Sequence, residues 1–93
     1  RHHVDPRIGR CLTRLRARAP FGELAWRDAK VSTGGREADV LLDTPDGNTV
    51  TVSLAVKGAS VAGSYRLGRP VASPPPSLAA AVRSVMDALR SPA

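Results

Sequence analysis

Few side chains in this 93-residue chain have the chemistry to act on a bound molecule. Histidine occurs twice, as His2 and His3, ahead of the first recognisable element. The folded body therefore has no imidazole to serve as a general base or a neutral metal ligand. At a fraying end the His2–His3 pair is at most a weak metal site. Cys11, the lone thiol, falls on the apolar side of a helical pattern. It reads as a packing residue, because reactivity needs exposure and a partner that lowers the thiol pKa; Arg7 and Arg14 are the cations within helical reach. One cysteine makes neither a zinc constellation nor an internal disulfide framework. It fits a reducing compartment, and the expected location is cytoplasmic.

The carboxylates give no better start. Glu37, Asp39 and Asp43 share the outward side of one strand pattern. Four residues along a strand span about 13 Å, so Asp39 and Asp43 are too far apart to flank one scissile bond as a retaining pair. The run S-T-G-G-R at 32–36 has the glycines of an anion-binding nest. It lacks phosphate-loop spacing and precedes a strand rather than a helix, so it reads as a turn. These residues yield no catalytic assignment, no metal site and no cofactor, and the chain is expected not to be an enzyme.

The elements that position these groups are organised around residues 36–57. Ala38, Val40 and Leu42 alternate with Glu37, Asp39 and Asp43; Val50, Val52, Leu54 and Val56 alternate with Thr49, Thr51, Ser53 and Lys57. Between them lies T-P-D-G-N. Period-two alternation on both sides of an Asp-Gly turn predicts a β-hairpin. Pro45 suits the first central turn position, Asp46 the second, and Gly47 a left-handed bulge. With Thr44 facing Asn48, Leu42 falls opposite Val50, Val40 opposite Val52 and Ala38 opposite Leu54. A one-residue slip would send one strand's apolar set to the wrong face.

Around the hairpin, Asp5-Pro6 is a helix-start signature. Ile8, Cys11, Leu12, Leu15 and Ala19 then follow helical spacing until Pro20, which predicts a helix over about 6–19. Leu24 and Trp26 are out of phase with Ala29 and Val31; a bulge near Asp28 reconciles them in a strand over about 23–32. After Gly58, Val61, Gly63, Tyr65 and Leu67 form a fourth strand over about 61–67, at a sheet edge. Four prolines make 68–77 an extended connector. Leu78, Val82, Val85 and Leu89 form the stripe of a second helix over about 78–90, capped by Ser77 and closed by Pro92. Neither helix is stable alone at this length. Both must cover the sheet, giving a two-layer α+β domain over 6–91 with strands at about 23–32, 36–43, 49–57 and 61–67. Residues 1–5 read as a disordered end or a tag remnant, and the opening R-H-H-V-D-P, without methionine, suits a piece of a longer protein. No apolar run reaches the length of a membrane span.

Charge and surface composition leave two functional readings. The net charge is +6, but residues 1–20 hold six arginines against Asp5 alone, and the remainder is nearly neutral with eight basic and seven acidic residues. In the first reading the chain is a non-enzymatic assembly module, associating with itself or a protein partner. Its contact would be the lightly charged outer sheet face of Thr49, Thr51, Ser53, Ala55, Ala62, Ser64 and Arg66, or the fourth strand's edge. In the second, Arg7, Arg10, Arg14 and Arg18 form a row that tracks nucleic-acid phosphates without reading sequence. Aromatic stacking platforms are absent from the pattern, since Phe21, Trp26 and Tyr65 are the only aromatics.

Overall fold

The computed structural model describes residues 3–90. Among the described residues the elements run α1 (Pro6–Arg18), β1 (Ala25–Val31), β2 (Glu37–Asp43), β3 (Thr49–Lys57), β4 (Ser60–Leu67) and α2 (Pro76–Arg90). The strands form one antiparallel sheet in the order β1-β2-β3-β4. This is the α+β meander with flanking helices that the patterning predicts.

The hairpin register is the one required by the apolar pattern, with Leu42 opposite Val50, Val40 opposite Val52 and Ala38 opposite Leu54. At its turn the Thr44 N–H donates to the Asn48 carbonyl at 3.0 Å and the Gly47 N–H to the Thr44 carbonyl at 3.1 Å. Gly47 has φ of 84°, a left-handed conformation that glycine adopts without steric cost. In β1 the register shifts between Trp26 and Asp28. That bulge puts Trp26, Ala29 and Val31 opposite Leu42, Val40 and Ala38, so the out-of-phase apolar residues of β1 share one face.

Both helices bury their apolar stripes against that face. Ile8, Cys11 and Leu15 of α1 and Leu78, Ala81, Val82, Val85 and Ala88 of α2 join Val40, Val50, Val52 and Leu54 in one cluster. Phe21 and Leu24 plug the corner after α1. There the Leu24 N–H donates to the Phe21 carbonyl in a tight turn, so β1 starts at Ala25, two residues later than its composition suggests. Ser77, read from sequence as the cap of the second helix, lies inside its first turn: the Ala79 N–H already donates to the Pro75 carbonyl at 3.0 Å. A proline is accommodated there because first-turn N–H groups have no helical partner to lose. Pro92, its expected stop, lies outside the described residues.

Two polar contacts fix the ends of the layers. The Asp5 side chain caps α1 by accepting from the Arg7 N–H at 2.9 Å, while the Asp5 N–H donates to the Gly35 carbonyl at 2.9 Å. The start of the proline connector is held by Asn48, which is 5% exposed. Its Nδ2 donates to the Arg69 carbonyl and its Oδ1 accepts from the Arg69 N–H.

Candidate interaction surfaces

Because both helices pack on one side, the outer face of the sheet carries no helix among the described residues. Strand pairing assembles its side chains into rows. One row runs Lys30, Asp39, Ser53, Ser64; the next runs Asp28, Leu41, Thr51, Arg66. A third begins at Glu37 and continues through Ala55 to Ala62. Thr49 stands opposite Asp43 at the turn end of the sheet.

All seven sequence-predicted interface residues therefore share this face, in unequal surroundings. Ala62, Ser64 and Arg66 on the edge strand are exposed, while Thr49, Ser53 and Ala55 are half-buried. Thr51 is only 7% exposed, screened by its neighbours on the same face. Ser53 Oγ donates to Asp39 Oδ1 at 2.9 Å. Arg27, the extra residue of the bulge, forks onto the Asp43 carboxylate and reaches Thr49 Oγ1 at 3.3 Å. That hydrogen-bonded carboxylate raises the Arg27 pKa above its ordinary value. The middle of the face sinks into a shallow depression of about 530 Å³ bordered by Lys30, Asp39, Ser53, Ala55, Ala62 and Ser64.

Leu41 is the residue on this face that sequence reasoning passed over. It sits half-buried between the outward Asp39 and Asp43, opposite Thr51. Its signal was available: in E-A-D-V-L-L-D, period-two alternation sends Leu41 outward once Leu42 is assigned inward.

The charges divide across the face. The β1–β2 half carries Asp28, Glu37, Asp39 and Asp43 against Arg27 and Lys30; the β3–β4 half carries Lys57 and Arg66 with no carboxylate among the described residues. One half is acidic and the other basic, with small residues between them.

The arginine row of α1 has a different fate. Arg7 turns back onto the cap: its Nε and Nη2 donate to the Asp5 carboxylate and its Nη1 to the Gly58 carbonyl. Those bonds hold the Asp5 carboxyl down to about 2, with Arg7's side chain the largest cause and its backbone N–H the next. Arg14 is half-buried, its Nη1 3.4 Å from the carbonyl oxygens of both Ala88 and Leu89 at the end of α2. Arg10 is exposed, with no hydrogen bond or ion pair among the described residues. Arg18 is exposed at the last turn. Arg16, on the opposite flank, stacks over the Trp26 ring at 4.9 Å. The predicted row is therefore one helix flank in which Arg7 and Arg14 also serve the fold.

Cys11 is buried at the base of α1. His2 lies outside the described residues, so the His2–His3 pair is not defined as a site. Among the described residues no three His, Cys, Asp or Glu side chains gather closely enough to hold a metal ion, and no helix is long and apolar enough to cross a membrane.

No protein family, curated protein or solved structure matches this chain.

Proposed function

We propose that this protein is a small non-enzymatic assembly module that pairs with a second copy of itself through the outer face of its sheet. The observation that supports this reading is the charge division of that face about a small-residue centre. Two copies stacked face to face about a two-fold axis parallel to the strands set the β1–β2 half of one against the β3–β4 half of the other. Asp28 then meets Arg66 of the partner subunit, and Leu41 meets the partner's Thr51. A two-fold axis across the strands would instead oppose like charges. Isologous contacts of this kind close into dimers rather than filaments.

The dimensions set the strength. Four strands of seven or so residues present a face of roughly 19 by 23 Å, on the order of 900 Å² for two copies, which is the size of a weak, transient contact. The dimer is therefore a reversible, concentration-dependent one. Sedimentation velocity over a concentration series tests it: the wild-type chain should move from monomer to dimer as concentration rises. Ala55→Glu, which sets a carboxylate against the partner's Glu37 in this arrangement, should hold it monomeric. A wild-type monomer at the highest concentration overturns the proposal.

The second reading, contact with nucleic-acid phosphates along Arg7, Arg10, Arg14 and Arg18, loses support from geometry, because Arg7 and Arg14 are half-buried and engaged within the fold.

A further inference from the structure

On the helical side of the molecule, α1, the start of β4 and the end of α2 enclose a cleft of about 380 Å³. Arg7, Arg10 and Arg14 line it from α1 and Arg90 lines it from α2, with Cys11 and Ser60 also on its wall. Among the described residues no carboxylate lines it. Asp5 and Asp87 stand behind, each paired with one of the lining arginines. Four arginines thus line one small concavity, two of them already paired with carboxylates outside its lining.

This arrangement differs from an open arginine row. Residues three and four apart on a helix stand about 5–6 Å apart at Cβ, so Arg7, Arg10 and Arg14 present one flank to whatever enters, and Arg90 faces them from the other helix. Arg18, the far end of the row, does not line the cleft. Arg7 is anchored by Asp5 and the Gly58 carbonyl, and Arg14 by the α2 carbonyls. Two of the four cations are therefore fixed before a ligand arrives, which lowers the ordering cost of binding. Guanidinium forks match phosphate oxygens in pairs. A ligand must also be compact to reach half-buried arginines in a cleft, which a rigid duplex is not.

We propose that this cleft binds a compact polyphosphate group, with Arg10 as the mobile cation that closes over it and Arg7, Arg14 and Arg90 as its walls. The site is on the opposite side of the sheet from the proposed dimer face and stands independently of it. The same phosphate chemistry is offered by free polyphosphate and by a nucleic-acid backbone, and the test separates the two.

The experiment is isothermal titration calorimetry of the folded chain with inorganic triphosphate at low ionic strength, beside a duplex DNA of mixed sequence. Saturable triphosphate binding is expected, weakening as salt is raised. Arg10→Ala should weaken it about tenfold or more through loss of charge-assisted hydrogen bonds, and Arg18→Ala should leave it unchanged. Circular dichroism melting of both variants confirms the fold, and both positions are exposed enough to tolerate alanine. Absence of triphosphate binding overturns the proposal. So does tighter binding of the duplex with Arg18→Ala as damaging as Arg10→Ala, since that pattern belongs to an open row.

Discussion

Asn48 and Arg69 are joined by a reciprocal pair of hydrogen bonds, Nδ2 to the Arg69 carbonyl at 3.0 Å and the Arg69 N–H to Oδ1 at 2.9 Å. The same Oδ1 accepts from the Thr49 N–H at 2.8 Å. A turn residue of the central hairpin thereby fixes where the proline connector departs toward α2. Replacing Asn48 with alanine leaves the Arg69 and Thr49 amides short of a partner in a partly buried place. The expected cost is about 1–3 kcal/mol, read as a lower midpoint in urea unfolding. An unchanged midpoint would mean that water replaces the amide without loss.

The cap of α1 makes stability depend on acid. Asp5's carboxyl titrates at about 2 in the folded chain against an ordinary value of 3.8, because Arg7 hydrogen-bonds its charged form. A depressed folded pKa contributes stability that is complete above the unfolded value and is lost as pH falls from about 4 toward 2. Asp5→Asn keeps a capping oxygen but removes the titration. Its melting temperature should therefore lie below wild type at pH 6 and approach it by pH 2. A constant offset between the two curves would assign the cap's contribution to hydrogen bonding without charge.

Gly35 and Gly47 both have positive φ, 74° and 84°, but only Gly35 is crowded. A Cβ on Gly35 would stand 1.8 Å from the His3 carbonyl oxygen, whereas one on Gly47 meets nothing within 4 Å. Gly47→Ala should cost only the left-handed backbone penalty, about 1–2 kcal/mol. Gly35→Ala should cost more, and should also break the Asp5 N–H bond to the Gly35 carbonyl that ties α1 to the sheet. Hydrogen exchange at Asp5 reads this directly: the amide should lose protection in Gly35→Ala and keep it in Gly47→Ala.

How much of this was readable from sequence depends on whether the signal is local. The hairpin was, because Pro45, Asp46 and Gly47 specify a turn and the valines on either side specify the register independently. The bulge was too, as a phase break between Trp26 and Ala29. Pairings between residues distant in the chain were not. Arg14 and Leu89 lie 75 positions apart, and nothing in either segment announces that one caps the other. Arg90 reaches the cleft only because α2 runs back across α1. The arginine row was visible as a helix flank, but that the fold engages Arg7 and Arg14 was not, since that depends on what lies behind each side chain. Leu41 was legible as well, since assigning Leu42 to the inner face sends it outward.

The central claim is that the acidic and basic halves of the outer face pair in a two-fold dimer, and Asp28 with Arg66 tests it most directly. The measurement is the dimerisation constant by sedimentation for wild type, Asp28→Arg, Arg66→Asp and the double variant. Each single reversal should weaken association, because two copies of a like-charge pair then meet, and the double reversal should restore it toward wild type. If the single variants associate as wild type does, or the double variant fails to recover while remaining folded, the face-to-face arrangement is contradicted.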